Sequence, residues 1–239
     1  MQPLVLVLVV LVVGVVAYFS YYLRKKRRDE TAALAARLGL TYSAADTFAI
    51  DETMPHRLFS LGDGRGCENV MWGTWNEMPV TEFDYWYYDE STDSDGQTTR
   101  TTHRFSCAMT YVNAGCPPLI ISKENLFTRL ADGLGFRDIE FEAAEFNRTW
   151  QVKCPDRKFA NDFIDQRMMQ WLMHAGPSWS FEVVGRIALV YSGKLSIPEI
   201  PTLLACLRAF RDKIPRVVED LYPLPAPAPG FPGARPETS

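Results

Sequence analysis

No two cysteines in this chain are spaced as a CxxC pair; its five thiols, Cys67, Cys107, Cys116, Cys154 and Cys206, are odd in number and widely scattered. That spacing argues against a structural zinc site and a disulfide framework, and fits reduced, mostly buried thiols in a reducing compartment. Histidine is scarcer still. His56, His103 and His174 lie outside helical or strand reach of one another and of any cysteine, so no metal pair is legible. A G-x-S-x-G elbow, a Walker loop and a G-x-G-x-x-G turn are all missing. No catalytic, cofactor-binding or metal-binding residue is therefore assigned, and no cofactor is implied. The glycine-rich "GDGRG" at 62–66 precedes no helix start, so a tight turn between two strands explains it better than a phosphate cradle.

Positive charge is also in short supply outside one place. The chain has 25 Lys and Arg against 29 Asp and Glu, for a net charge of −4. Setting aside the run Arg24, Lys25, Lys26, Arg27 and Arg28 leaves a balance of about −9 for the rest. An acidic body of this kind excludes nucleic acid as a partner, because phosphate backbones need clustered Lys and Arg.

What is present is a long apolar start. From Pro3 to Leu23 there is no formal charge, and Leu and Val dominate from Leu4 to Val16. Twenty-one helical residues at about 1.5 Å each span roughly 30 Å, the thickness of a bilayer's hydrocarbon core. About twelve Leu and Val at roughly −0.4 kcal/mol each favour insertion by about 5 kcal/mol. Tyr18, Phe19, Tyr21 and Tyr22 fall where headgroups begin. A cleaved signal peptide fits less well: no cation precedes the apolar run, the run is too long, and no small-x-small site follows. Residues 1–23 are thus expected to be a transmembrane anchor. Residues 24–40 are read as the stop-transfer run and a juxtamembrane helix ended by Gly39. With cations only on the C-terminal side, a single-pass topology with the N-terminus outside and the remaining chain cytoplasmic is expected at the cell membrane. The same cations would attract anionic lipid headgroups.

The rest, 41–222, reads as an α+β domain of antiparallel sheet with helices packed on one side. Two strands meet at Asn76-Glu77-Met78-Pro79, and a polar loop, Ser91–Thr98, joins the second to "TTHRFSCAMTYV" as a hairpin. Ser122 is expected to cap a helix ending near Gly133 or Gly135. In the second half, Phe146, Arg148, Trp150, Val152 and Cys154 alternate with polar residues, which predicts a half-buried strand from Glu145. Asp156 caps a helix closed by Gly176-Pro177, and Gly185-Arg186 is expected to turn a hairpin. The stripe Leu203, Leu207, Phe210, Ile214, Val217 and Leu221 predicts a final helix that Pro215 kinks or splits. The repeated strand–helix theme admits a division into two similar lobes, 41–135 and 136–222. Residues 223–239, rich in proline, read as a disordered tail.

Two constellations invite weighing. Asp138, Glu140, Glu142 and Glu145 crowd one segment; with His103 they could assemble a hydrolase site, although a solvent-facing row explains them more simply. Asp84 and Arg148 both fall on apolar strand faces. A buried guanidinium needs a partner, so a structural Asp84–Arg148 pair is expected, with ligand clamping as the sharper alternative.

The stretches "NVMWGTW", "VTEFDYWYY", "DIEFEAAEFNRTWQV" and "FANDFIDQRMMQWLM", following an anchor and a basic run, resemble a set of uncharacterised bacterial membrane-anchored proteins. More loosely the chain resembles a domain-of-unknown-function family, over roughly residues 55–220. It departs from that pattern at 83–88, where two extra aromatic residues thicken it. The resemblance implies a membrane-tethered domain and carries over no active-site residue. The sequence therefore supports a membrane-tethered, non-enzymatic interaction or scaffold domain facing the cytoplasm, with lipid headgroups or a protein as partner. A membrane-anchored hydrolase is the alternative.

Overall fold

The computed structural model describes residues 2–94, 96–123 and 137–224, apart from the side chains at 2–4, 6, 9 and 137. One helix, α1 (Gln2–Leu38), carries the apolar segment and the basic run without a break. Gly39 adopts φ 72° and ends it. Its N–H donates to Ala36 O, and that of Leu40 to Ala35 O at 2.8 Å, which is the paired closure of a Schellman motif. Among the described residues no helix is long and apolar enough to cross a membrane.

Seven antiparallel strands form one open sheet in the order β1-β2-β3-β4-β6-β5, with β7 also on β4. They are β1 (Thr41–Ala45), β2 (Gly64–Trp75), β3 (Met78–Thr92), β4 (Thr98–Ser122), β5 (Arg137–Asp138), β6 (Gln151–Cys154) and β7 (Ser180–Gly193). β4 is the spine. Its first part lies between β3 and β7, and its last residues lie between β6 and β7. Strands from both sides of position 135 thus share a single sheet.

Alternation along β3 sorts its side chains between two cores. Phe83, Tyr85 and Tyr87 point to one face, where they pack with Leu58, Phe59, Cys107, Leu189 and Tyr191. That face is covered by the short α2 (Ile50–Thr53) and a 3-10 turn, Arg57–Ser60. Val80 lies on the other face, in the larger core with Leu34 and Ala35 of α1 and Leu203, Leu207 and Phe210 of α6 (Ile200–Lys213). The remaining helices, α3 (Ala144–Thr149), α4 (Arg157–Phe163), α5 (Gln166–Ala175) and α7 (Arg216–Leu221), send Phe146, Phe159, Met168 and Val218 into that same core.

Local chemistry accounts for the element ends. Asn76 and Glu77 take φ 47° and 65°, so the β2–β3 hairpin closes in two residues rather than four, as a turn with both residues left-handed requires. Asp156 accepts from Phe159 N at 3.0 Å and Asp165 from Met168 N at 2.8 Å. This second cap starts a new helix, so the expected single helix to Gly176 is in fact α4 followed by α5. Pro215 splits α6 from α7 and shifts the phase: Val218 is buried, while Val217 and Leu221 are exposed.

Three further sequence expectations are corrected. Residues 144–149 are helical, and the strand is confined to Gln151–Cys154. Phe146 and Trp150 are four apart, so they share a face in a strand and in a helix alike; only Arg148, two residues on, separates the readings. It is exposed, and its Nε donates to Ala144 O at 3.2 Å. Gly185 turns no hairpin. Both flanks of it pair with β4, and its φ of 58° belongs to an irregularity opposite Cys116, where β4 itself shifts register. The glycines of 62–66 do not connect two strands; they let β2 start against Tyr88. A Cβ on Gly62 would sit 2.6 Å from Tyr88 O, and one on Gly64 2.5 Å from its ring. The helix expected after Ser122 falls largely on 124–136, and the proline-rich tail falls beyond 224; both lie outside the described residues.

Candidate functional site

The face of β3 beneath the root of α1 is unusual for a protein interior, because Glu82 and Asp84 are both buried there. Strand alternation puts them on one side with Trp86. Two acids so placed need cations, and α1 delivers one. Arg27 grips Asp84 with a two-pronged fork, Nε to Oδ2 at 2.7 Å and Nη2 to Oδ1 at 2.5 Å. Its third donor, Nη1, reaches Leu195 O at 2.6 Å. Asn69 Nδ2 donates to Asp84 Oδ2 at 2.9 Å and is itself oriented by Tyr42, whose hydroxyl donates to Asn69 Oδ1 at 3.1 Å. Ser106 Oγ accepts from Leu195 N at 3.1 Å and faces Asp84 at 3.5 Å. Lys194 Nζ stands 3.6 Å from Asp84 Oδ2.

The electrostatics follow from burial. Burial pulls Arg27 down, but its hydrogen bonds to Asp84 and the charges of Asp84, Glu82 and Glu68 outweigh that and hold it above its ordinary value. Burial, helped by the neighbouring Asp84 and opposed by Arg27, pushes the Glu82 carboxyl well above the usual carboxylate range. Lys194 is lowered, by burial first, with Arg27 and Arg104 adding repulsion against the attraction of Asp84.

Immediately outside this pair, a cleft of about 810 Å³ opens between α1 and the sheet. Arg24, Lys26, Arg27 and Arg28 line it from the helix, Arg104 and Lys194 from the strand side, with Ser20 and Leu23 at one end and Trp86 as a wall. Glu30 and Glu68 are the acids on its lining. Trp86 is fixed: its ring stacks on Tyr88 at 6.3 Å and 10°, and Arg100 lies over Tyr88 at 4.7 Å. The arrangement can hold an anion; the Ser196 hydroxyl on its lining donates to Glu199 Oε2 at 2.6 Å as part of the cap of the 3-10 turn Ile197–Glu199.

Asp84 and Arg148, expected as a pair, are not brought together. Arg148 is on the exposed side of α3, and the cation that Asp84 takes comes from the basic run. Of that run, Arg24, Lys26, Arg27 and Arg28 line the cleft, and Lys25 does not. His103 pairs with Asp89 at 3.2 Å and packs on the Tyr87 ring at 4.8 Å, on the sheet face opposite Arg104. The acidic segment sits by β5 and β6 at the far end of β4, so the structure does not join His103 to Glu140 or Glu142. A shallower hollow of about 430 Å³, beside Asp89 and Gly62, is lined by neither.

Asp46, Asp51 and Cys67 are the residues that bring metal-type ligand atoms together among the described residues. Asp46 already accepts from Phe48 N at 2.9 Å and Ile50 N at 2.7 Å. Burial, then the two carboxylates, push the Cys67 thiol up. The cluster is explained as the start of α2.

The fold is similar to the crystal structure of the mycobacterial trehalose monomycolate transport factor A, TtfA. The TM-score is 0.58 over 83% of this chain and 97% of that chain, with 14% sequence identity. No protein-family model and no curated protein matches the chain.

Proposed function

We propose that the chain is a membrane-tethered, non-enzymatic accessory domain, anchored by residues 1–23 and working at the cytoplasmic face of the cell membrane. The observation that carries the reading is the state of α1. Apolar side chains from Val5 to Leu23 are 49–72% exposed on every side of the helix. A helix apolar all round needs cover, which lipid supplies here because nothing else in the described chain does, although over its described residues alone α1 falls short of a full crossing. A turn later the same helix is bonded through Arg27 to a buried acid of the sheet, so the anchor and the domain are joined without a linker. Such a junction fixes how the domain sits on the bilayer, which suits a module that presents a surface to another membrane component. The similar fold of a trehalose monomycolate transport factor supports an accessory role in transport rather than catalysis. His103, away from the acidic segment, lends no support to a hydrolase.

The test is extraction and labelling. Full-length protein should stay in the membrane pellet at alkaline pH. A thiol placed in the exposed β3–β4 loop by Ser94→Cys should react with an impermeant maleimide only after the membrane is permeabilised. Release into the supernatant would refute the anchor, and labelling in intact cells would refute the cytoplasmic placement.

A further inference from the structure

The cleft at the root of α1 has a position as well as a charge. Its lining runs from Ser20 to Glu30, about 15 Å along the helix axis, and begins among the aromatic residues that mark headgroup depth. We propose that this cleft holds the phosphate headgroup of one anionic phospholipid from the bilayer that α1 enters. The proposal rests on the membrane tether argued above.

Three features carry it. First, the cations facing the cleft are not used up by the fold. Among the described residues, the exposed side chains of Arg24, Arg28 and Arg104 make no hydrogen bond or ion pair, whereas Arg27 is committed to Asp84 and Lys26 stands 3.8 Å from Glu30, which leaves Glu68 as the other acid on the lining. Second, these cations converge from two distant parts of the chain, α1 and β4, with Lys194 at the end of β7 beside them. Lys194 is already depressed by burial and by its cationic neighbours, a strain that an incoming anion would relieve. Third, the walls suit a lipid. Trp86 lies flat across β2 because position 66 is glycine, where a Cβ would stand 3.1 Å from the indole. Leu23 closes the other end, with the exposed Phe19 one turn below to receive an acyl chain. The volume is within the range of about 300–1,000 Å³ for small-ligand sites. An acidic peptide would satisfy the charges, but not a mouth opening beside the apolar helix.

The experiment uses the full-length chain in micelles of an uncharged detergent, titrated with dihexanoyl phosphatidylglycerol, with dihexanoyl phosphatidylcholine and with inorganic phosphate, and read by native mass spectrometry. One equivalent of phosphatidylglycerol should bind, with phosphatidylcholine at least tenfold weaker. Arg104→Gln with Lys194→Gln should weaken phosphatidylglycerol about 30-fold, from about a fivefold loss per cation. The charge-matched pair Arg211→Gln with Lys213→Gln, outside the cleft, should leave it unchanged. Equal binding of the two lipids, or equal loss in the two double variants, would overturn the site. Displacement of the lipid by millimolar inorganic phosphate would overturn its assignment to a lipid. Arg104→Gln alone, exposed and free of side-chain bonds, gives a second reading if the double variant melts early. Alkaline extraction of the same variants separates failure of the site from failure of the anchor, because both substituted residues lie outside α1.

Discussion

Replacing Arg27 by alanine should loosen the root of α1 from the sheet, and the structure sets the scale. The Arg27 side chain is 15% exposed and that of Asp84 5%, so this is a largely dry pair rather than a surface one. Removing one partner of such a pair costs about 3–5 kcal/mol, because the other charge stays buried without compensation. Arg27→Ala leaves Asp84 with Asn69 at 2.9 Å and Lys194 at 3.6 Å, which offset part of the loss and favour the lower end. Asp84→Ala leaves Arg27 and Lys194 facing each other without the carboxylate that both approach. About 3 kcal/mol is expected for each single change. The double variant should be less destabilised than their sum by about 2 kcal/mol, since only the part-buried Lys194 then lacks its acid. For a folded part of this size 1 kcal/mol corresponds to about 2–4 °C, so each single variant should melt roughly 6–12 °C lower. Arg27→Lys should recover only part of the loss, because an ammonium cannot reproduce the fork and reach Leu195 O as well. Near-ultraviolet circular dichroism melts of the full-length chain in uncharged micelles measure all four. A change within 2 °C for Arg27→Ala, or strict additivity in the cycle, would refute the account of a buried tie between α1 and the sheet.

Two further outcomes can be read from the same melts. Burial pushes the Glu182 carboxyl up to about 7, against the pull of its bonds from Arg57 N at 2.6 Å and Tyr191 OH at 3.1 Å. The folded state therefore holds a proton that the unfolded state releases near 4.5, and this contribution, on the order of 3 kcal/mol, is present below pH 4.5 and lost as pH rises to about 7. His56, lowered to about 4 by burial, contributes the opposite slope between pH 4 and 6.5, so the difference between wild type and Glu182→Gln isolates the carboxyl; an identical pH dependence in the two proteins would discount it. At the start of β2, Gly62→Ala should cost more than Gly64→Ala: the first meets the Tyr88 backbone oxygen at a φ of +73°, whereas the second meets a ring that can swing away. The reverse order would mean that Tyr88 is fixed more firmly by Trp86 and Arg100 than the stacking suggests.

The strands of the first half were legible because their alternation is long and their turns chemically explicit. β3 and β4 pair across the polar loop from Thr92 opposite Thr98, and Asn76 tolerates the left-handed turn that shapes the first hairpin. Alternation failed where it was short. Phe146 and Trp150 satisfy two periods at once, and the deciding residue, Arg148, was read as a buried cation in need of an acid when it is an exposed one on a helix. At Gly185 the sequence shows a break, but whether a break is a turn or a bulge depends on the partner strand, and β4 pairs on both sides of it.

Asp84 was recognisable as an acid on an inward strand face, yet its partner was not, for a reason that lies in helix geometry. Five consecutive helical residues at about 100° each sweep more than a full turn, so a run of five cations always points some cation at whatever packs beside the helix. Nothing in the composition of Arg24 to Arg28 distinguishes the member that does so. The selection is made by Thr31, Leu34 and Ala35, whose burial against the sheet fixes the rotation of α1 and thereby presents Arg27, one turn before Thr31, to Asp84. A cluster that the sequence presents only as a run of charge thus supplies a structural tie through one residue and leaves Arg24 and Arg28 free at the mouth of the cleft. Turning the helix by one residue, for example by inserting an alanine after Asp29, should therefore break the Arg27–Asp84 tie and disperse the cleft together, read as a lower melting temperature and lost phosphatidylglycerol binding, while the apolar segment itself is unaltered.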